Sequence, residues 1–263
     1  MSEIYLERLN APSLDSEYYK PSGTFNTSPA YSDVQMPNCV MYCYCRSFEA
    51  CRSTEPFPIA RNSLGFGNAK TWYANSPLQK GSAIKNGAIA CFDGNYGHVA
   101  FVERKIDDTH ALISESQYDD DKSLRNYKFW QKRIVELKVG KATLSGVGAL
   151  QGFLYLPIHD FRTKYTGNNQ IEIIEDFVNV RNAPEGSISL KGCYCPRGIF
   201  NVLEKRNLNG YDWFKIDENA WIRSGEWLIF YSNSDLEELR KENEQLKKDM
   251  RKILEIVGKY ASN

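Results

Sequence analysis

The first regular pattern of apolar positions along the chain is helical. It covers residues 38–52, with Val40 and Cys43 on the same face. Asn38 is a suitable N-cap, because its side-chain oxygen can accept hydrogen bonds from the first free N–H groups of a helix. The pattern therefore predicts a helix in which Cys39 is the first residue.

Downstream of this helix, short apolar runs are separated by turn-forming clusters of Gly, Asn and Asp, which is typical of an antiparallel meander. The predicted strands cover residues 87–92, 98–103, 111–118, 133–139 and 153–158. One helix packed on an antiparallel sheet is an α+β domain. We therefore expect a first domain over residues 1–162.

A second pattern of short strands begins after a linker at residues 165–170. The strands are predicted at residues 171–174, 178–180, 198–204, 213–216, 220–223 and 227–231. This close spacing favours a small β-barrel. We therefore expect a second domain over residues 168–232.

The last segment, residues 234–260, has the clearest period in the chain. Residues recur every seven positions in two seams, which contain Leu236, Leu239, Asn243, Leu246, Met250, Ile253 and Val257. This heptad pattern predicts a coiled-coil helix that joins chains into a homo-oligomer, and the polar Asn243 in a seam favours a dimer. The alternative is a helix packed on the barrel, for which a wider apolar stripe is expected.

Composition and charge narrow the classes of function. Lys and Arg number 33 and Asp and Glu number 33, so we expect no nucleic-acid partner. No apolar stretch approaches the ~20 residues that a membrane helix needs, so we expect no membrane partner. The N-terminus lacks a basic region followed by an apolar one, so no secretory signal is predicted and synthesis in the cytoplasm is expected.

The seven cysteines are an odd number, and four of them crowd into residues 39–51. For a protein made in the cytosol, this favours free thiols over a disulfide framework. Cys43-x-Cys45 and Cys193-x-Cys195 are spaced too closely for the usual zinc ligands. We therefore expect no metal and no cofactor.

Three residues of the first domain are candidates for a catalytic triad. A thiol at a helix N-terminus, as expected for Cys39, has a lowered pKa because N–H groups and the helix dipole stabilise the thiolate. His98 begins a predicted strand and Glu115 lies on the next, so the carboxylate can orient the imidazole. The alternative is that these residues have no catalytic role: a cysteine in a helix is more often a core residue, and a histidine at a strand start is usually only a polar residue.

Five short motifs in this order resemble the CHAP family of cysteine, histidine-dependent amidohydrolases/peptidases, which have a papain-like fold. They are Pro37-Asn38-Cys39-Val40-x-Tyr42, Asn68-Ala69-x-x-Trp72-Tyr73, Gly87-Ala88-Ile89-Ala90-Cys91, Gly97-His98-Val99-Ala100-Phe101-Val102-Glu103 and Ile113-Ser114-Glu115-Ser116-x-Tyr118. The resemblance runs from about Pro37 to Pro157. It implies that Cys39 is the nucleophile, His98 the general base and Glu115 the orienting residue.

The same resemblance implies the surroundings of the nucleophile. The oxyanion would be held by the backbone N–H of Cys39 and a second donor, for which Asn38 and Gln35 are candidates. Trp72 and Tyr73 are expected to line the substrate cleft. Gln117 is a further cleft candidate, because it stands where many members of the family carry an asparagine.

Residues 171–231 resemble the bacterial SH3-like domain. The matching pieces include Val178-Asn-Val-Arg181-x-Ala183-Pro184, Asn209-Gly210-Tyr211-x-Trp213-x-Lys215-Ile216 and Ala220-Trp221-Ile222. In wall hydrolases this module binds peptidoglycan. The resemblance therefore implies wall binding, with Tyr211 and Trp227 as candidate contacts, while Trp213 and Trp221 are expected in the barrel core.

The two resemblances together imply a phage-type endolysin. It would cleave an amide bond of bacterial peptidoglycan, its partner, and would act on the wall after release from the cytoplasm. One alternative is a bacterial wall-remodelling hydrolase, and another is a non-catalytic wall-binding protein on the same folds. The residues leave open whether the bond is that of an N-acetylmuramoyl-L-alanine amidase or of an endopeptidase.

Overall fold

The computed structural model describes residues 4–19, 36–52, 68–118, 128–158 and 169–261. In chain order, the elements are β1 (Glu7–Arg8), α1 (Cys39–Cys51), α2 (Ala69–Asn75), β2 (Gln79–Gly81), β3 (Ala88–Phe92), β4 (His98–Lys105), β5 (His110–Glu115), β6 (Gln131–Glu136), β7 (Leu150–Tyr155), β8 (Gln170–Ile173), β9 (Cys193–Tyr194), β10 (Gly198–Asn201), β11 (Glu204–Leu208), β12 (Tyr211–Asp217), β13 (Ala220–Arg223), β14 (Leu228–Tyr231) and α3 (Asn233–Ala261). The fold is thus mixed α and β, with mostly strands and few helices.

The chain separates into two compact units. The first contains residues 1–160 together with 190–196, and the second contains residues 161–189 and 197–263. Residues 190–196 therefore group with the first unit, although the sequence placed them inside the expected second domain. The expected linker at residues 165–170 lies mostly outside the described residues, since description resumes at residue 169.

The first unit is built on a six-stranded sheet in the order β2-β7-β3-β4-β5-β6, in which all neighbouring strands are antiparallel. The meander predicted from the sequence is confirmed as β3 to β6, and β7 returns to pair with β3. Successive residues of a strand point to opposite faces. Consequently β3 is buried along its whole length: Ile89 and Cys91 face a core that includes α1, while Ala90 and Phe92 face a second core.

Helix α1 begins where the sequence predicted. Asn38 has an extended backbone, and its side chain accepts hydrogen bonds from the N–H groups of Val40 and Met41, as an N-cap does. The helix is buried from Met41 to Ala50, including its charged residues. Buried charges are costly unless they are paired, so this helix requires partners for them inside the core.

The partners are supplied by a carboxylate of β4 and by the N-terminal segment. Glu103 accepts hydrogen bonds from Arg46 at 3.0 and 2.8 Å, and from the Tyr5 hydroxyl and the Arg8 backbone N–H, both at 2.9 Å. Ser114 of β5 donates to the same carboxylate at 2.5 Å. The buried network therefore joins α1, two strands of the sheet and the chain's N-terminal segment.

The N-terminal segment is held in two further ways. Arg8 forms an ion pair with Glu49 of α1. In addition, β1 pairs in antiparallel register with β9, so that Arg8 lies opposite Cys193. This pairing explains why residues 190–196 belong to the first unit, and no local sequence pattern predicts it.

The second unit contains two three-stranded antiparallel sheets, in the orders β10-β8-β14 and β11-β12-β13. Trp213 and Trp221 are buried, at 3% and 4% exposure, as expected for core residues. Phe214 stacks on Phe230 from the other sheet, with ring centroids 5.1 Å apart. The strands predicted here are largely present, whereas the assignment to an SH3-like barrel stays a prediction.

The 29-residue helix α3 confirms the helix predicted from the heptads. Leu236 is buried within its own unit, so it is not available to a seam between chains, which corrects its assignment to oligomerisation. The later seam residues are exposed: Leu239, Asn243, Leu246, Met250, Ile253 and Val257. The coiled coil itself stays a prediction. In the described ranges, no helix is long and apolar enough to span a bilayer.

We predict that Glu103→Ala strongly destabilises the first unit, because it removes the carboxylate that pairs with the buried Arg46 guanidinium at 2.8 Å and leaves that cation, among the described residues, with Glu49 alone. Breaking a buried pair in this way costs about 3–5 kcal/mol. Urea unfolding followed by tryptophan fluorescence measures the change in the free energy of unfolding. The control is Lys105→Ala, which removes a more exposed ion pair with Asp108 and costs about 0–1 kcal/mol. Equal losses in the two variants would contradict a supporting role for the network.

Candidate active site

The start of α1 places the sulfur of Cys39 at the edge of the first unit's core. Asn38 Oδ1 accepts from Val40 N at 2.9 Å and from Met41 N at 3.2 Å. The Asn38 backbone N–H donates to Ser116 Oγ at 2.9 Å, which ties the helix start to the segment just after β5. Cys39, the first helical residue, is half-buried and therefore remains reachable from solvent.

Strand β4 presents His98 to this sulfur, and the preceding glycine makes the approach possible. Gly97 has a φ of +71°, and a Cβ at this position would lie 2.0 Å from the backbone nitrogen of Lys70 at the start of α2. Only glycine fits such a close backbone contact with a positive φ. His98 is consequently held at the first position of its strand, with 4% of its surface exposed.

Glu115, the last residue of β5, orients the imidazole. Its Oε2 lies 2.6 Å from His98 Nε2. Its other oxygen, Oε1, accepts from Gln131 at 2.9 Å and from Arg133 at 2.7 Å, both on β6. With Nε2 engaged by Glu115, Nδ1 is the ring nitrogen that remains for the hydrogen bond between His98 and Cys39. The three sequence candidates are thus brought together.

The charges of these groups support one another. Burial by itself would raise the pKa of the Cys39 thiol, but the hydrogen bond and charge of His98, with backbone hydrogen bonds from Val99 and Val40, lower it. Burial would lower the pKa of His98, yet hydrogen bonds to Cys39 and Glu115 raise it to about 9. The site therefore favours the ion pair of thiolate and imidazolium over the neutral pair of thiol and imidazole.

The carboxylate is stabilised from two sides. Burial would raise the pKa of Glu115, whereas the hydrogen bond and charge of His98 and the charge of Arg133 lower it. Glu115 consequently stays ionised over the range in which the thiolate and imidazolium coexist. An ionised carboxylate at Nε2 both fixes the ring orientation and stabilises its positive charge.

The other buried thiols have the opposite character. All seven cysteines are free, and burial raises the pKa of Cys43, Cys45, Cys51, Cys91 and Cys193. For Cys51 and Cys193 the value is about 12. A thiol is nucleophilic as its thiolate, so Cys39 is set apart from these five by its electrostatics as well as by its position.

A cleft of about 840 Å³ opens over the sulfur. Its lining includes Asn38, Cys39, Tyr96, His98, Gln117 and Tyr118. Gln117 therefore lines the cleft as the sequence expected, and Asn38, a candidate oxyanion donor, lines it as well. Gln35, the other candidate oxyanion donor, lies outside the described residues.

Two predicted cleft residues are elsewhere. Trp72 is fully buried in the core beside α1, so its assignment to the cleft is wrong. Tyr73 packs over β7: a Cβ on Gly152 would lie 2.7 Å from its hydroxyl oxygen. The reason is that both belong to α2, whose inner side faces the sheet rather than the opening.

Sequence reasoning also missed several residues of the site. Tyr96 is 79% exposed and lines the cleft from the turn before His98. Gln131 and Arg133 bind Glu115 from β6, and their spacing of two residues on a strand next to Glu115 was a usable signal. Residues 145–147, which also line the cleft, carried no pattern that marked them.

The candidate wall contacts of the second unit are at its surface. Tyr211 is 47% exposed, and the guanidinium of Arg223 lies 4.4 Å from its ring centroid. Trp227 is half-buried and lines a cleft of that unit. Within the described residues of both units, no group of three or more His, Cys, Asp or Glu side chains is arranged to hold a metal ion.

Comparison with known proteins agrees with the first unit's site. Residues 30–117, about a third of the chain, match the model of the CHAP domain, and this stretch includes Cys39, His98 and Glu115. A protein of Streptococcus mutans serotype c that carries the name "Putative hydrolase" is 37% identical over 70 residues. That alignment covers 25% of this chain and 33% of the relative, so the chain spans about a third of the relative's length. Both findings support hydrolase activity.

We predict that Cys39 is the most reactive thiol, because its pKa is lowered while burial raises that of five others. At pH 7, iodoacetamide should alkylate it at least about tenfold faster than those cysteines, since each pKa unit changes the thiolate fraction about tenfold. Mass spectrometry of peptides measures each rate. His98→Ala should slow alkylation of Cys39 by a similar factor, while the exposed His110→Ala should not. Uniform alkylation would contradict the prediction.

Proposed function

We propose that this protein is a peptidoglycan hydrolase of the endolysin type, which cleaves an amide bond of the bacterial wall with Cys39 as nucleophile. The observation that carries this proposal is the contact of Cys39 with His98, itself bound to Glu115, in a cleft that both Cys39 and His98 line. The match to the CHAP domain supports the same reaction class.

The reaction follows from the charges of the site. The Cys39 thiolate attacks the amide carbonyl carbon and forms a C–S bond, and the carbonyl π electrons move onto oxygen. When this oxyanion collapses, the C–N bond breaks and His98 gives its proton to the leaving amine, which leaves a thioester. His98 then takes a proton from water as the water attacks the thioester. Collapse of the second oxyanion returns the thiolate and releases a carboxylic acid.

We assign the oxyanion site to the start of α1. The first N–H groups of a helix have no partner within it, and Asn38 Oδ1 occupies those of Val40 and Met41. We therefore assign the N–H of Cys39 as the first oxyanion donor and the Asn38 side-chain amide as the candidate second donor. Donors arranged in advance stabilise the charge without reorganising during the reaction.

In this proposal, both units act on the bacterial wall. The second unit binds peptidoglycan through exposed aromatic residues, and the first cleaves it, which leads to lysis once the protein reaches the wall. The alternatives are an exported wall-remodelling hydrolase and a non-catalytic wall-binding protein. The lowered pKa of Cys39 favours a catalyst over the latter.

Clearing of a wall suspension tests the proposal directly. We predict that Cys39→Ala lowers the rate at least about 10³-fold, because the nucleophile is removed. Cys51→Ala is the matched control, since it changes a half-buried cysteine at the other end of the same helix. Mass spectrometry of the products distinguishes an amidase from an endopeptidase. Undiminished clearing by the Cys39 variant would overturn the proposal.

The pH profile should be bell-shaped. As the pH falls through the lowered pKa of Cys39, the thiolate is protonated and activity is lost. As it rises through the pKa of His98, about 9, the imidazolium loses the proton that the leaving amine needs. We therefore predict an alkaline limb of kcat/KM near pH 9, measured on soluble wall fragments. An alkaline limb near pH 6.5, the ordinary value for histidine, would contradict the ion pair.

We also propose that α3 joins two copies of this chain. Its later seam residues are exposed in a single chain, and they follow the heptad period. Charge complementarity favours a parallel pair, in which Glu242 would face the partner's Lys247. An antiparallel pair would instead bring like charges together. Two wall-binding units held near each other would gain avidity.

We predict that Leu246→Glu with Ile253→Glu converts the dimer into a monomer. Both side chains are more than half exposed in a single chain, at 64% and 58%, so the substitutions leave its core intact. Multi-angle light scattering should show half the mass, while hydrolysis of soluble wall fragments persists. Lys241→Glu with Lys248→Glu, outside the seam, is the control. A wild-type protein that is already monomeric would refute the pairing.

A further inference from the structure

The second unit contains a cleft of about 560 Å³ that combines charged and aromatic side chains. Arg181, Arg223 and Trp227 line it together with Glu175, Asp176 and Glu226. A site with few, well-placed polar groups beside an aromatic ring is the usual form of a small-ligand pocket.

Arg223 is the best-positioned of these groups. Its guanidinium lies 4.4 Å from the ring centroid of Tyr211 and 6.0 Å from that of Trp227. The indole N–H of Trp227 donates to the backbone oxygen of Arg223 at 3.2 Å, which fixes the ring beside the arginine. Two aromatic rings therefore restrain a side chain that would otherwise be mobile, so less entropy is lost when it binds a ligand.

The guanidinium is restrained but not ion-paired. Within the described ranges, no carboxylate lies within 4.0 Å of Arg223, although acidic residues line the same cleft. Arg206 shows the contrast: it also lies over an aromatic ring, 5.0 Å from the centroid of Trp221, but it pairs with Glu204. Arg223 thus keeps its fork of N–H donors for a planar anion such as a carboxylate.

The acidic residues that line the cleft indicate that the ligand has a positively charged group besides its carboxylate. Asp176 accepts a hydrogen bond from Arg197 at 2.8 Å, and Glu175 lies 3.7 Å from the same guanidinium. Glu226 is exposed, and no ion pair joins it to a cation among the residues that the structure describes. A simple anion would be repelled by this rim, whereas a molecule with a carboxylate and an ammonium group complements both charges.

We propose that this cleft binds a zwitterionic peptide end, with the free carboxylate on Arg223, the adjoining apolar side chain on the Trp227 ring and an ammonium group toward Glu226. This inference rests on the proposed function, in which the wall's uncrosslinked stem peptides supply such ends. The cleft would then direct the protein to wall regions in which peptides remain unlinked.

Titration calorimetry on the full chain tests the assignment. The Cys39→Ala variant is titrated with a short peptide ending in D-alanyl-D-alanine, and with the same peptide as its C-terminal amide. We expect the amide to bind at least about tenfold more weakly, because a charge-assisted hydrogen bond to the carboxylate is lost. Acetylation of the acid peptide's amino groups should also weaken its binding, because the ammonium group that faces Glu226 is lost.

Substitutions locate the site. Arg223→Gln, in the Cys39→Ala background, should lower affinity for the acid about tenfold or more and remove the preference for acid over amide. Arg206→Gln is the matched control, since this arginine also lies over a tryptophan but is already paired, and it should leave both affinities unchanged. Circular dichroism confirms that each variant is folded.

Two results would overturn the inference: equal affinity of the unmodified cleft for acid and amide, or an equal loss in the Arg206 and Arg223 variants. The acid–amide comparison does not depend on any variant of the cleft, so it stands even if Arg223→Gln misfolds. Wall clearing by the wild-type protein is measured in parallel. Clearing without acid-selective binding rejects the cleft alone, whereas absence of clearing rejects the proposed function.

Discussion

The approach of Cys39 to His98 depends on the buried ion pair between α1 and β4. Arg46 lies two turns beyond Cys39 in the helix, and Glu103 lies five residues beyond His98 in the strand. Sliding the helix along the sheet would separate these buried charges, at a cost of several kcal/mol. Such a pair contributes little net stability compared with an apolar core, but it determines one register. We infer that this register places the sulfur beside the imidazole.

Negative and positive groups also alternate in the candidate site. A thiolate, an imidazolium, a carboxylate and a guanidinium follow one another from Cys39 through His98 and Glu115 to Arg133. Each charge is stabilised by the next, which is how a half-buried thiol can have a lowered pKa against the opposing effect of burial. The last member, Arg133, lies nearer to solvent, so the series ends where its charge can be hydrated.

The second unit uses its arginines in a different setting. Here Arg223 lies over the exposed ring of Tyr211 rather than inside a core, so it combines a charge with a flat apolar surface. This arrangement suits reversible binding, because neither the arginine nor the aromatic ring needs to be buried before the ligand binds. Joined by α3 into the proposed pair, two such surfaces would compensate for a modest affinity at each.

Several features were predictable from the sequence because they depend on near neighbours. The cap by Asn38, the position of Cys39 in the first turn, the strands of the meander and the helix α3 each follow from residues a few positions apart. The candidate triad was also predictable, since neighbouring antiparallel strands bring His98 and Glu115 together. Trp72 was wrongly assigned to the cleft because the sequence motif identifies the residues of α2 but does not show which side of this helix is buried.

The amino-acid sequence by itself determined the local elements, because period and capping act over one or two turns. The three chemical groups that carry the proposed reaction were identified by motifs that resemble the CHAP family. Only the tertiary structure decided that β9 pairs with β1, that Arg133 binds the second oxygen of Glu115, and that Leu236 is covered within its own unit. These outcomes depend on burial and on pairing between segments that are distant in the chain, and no local pattern encodes either.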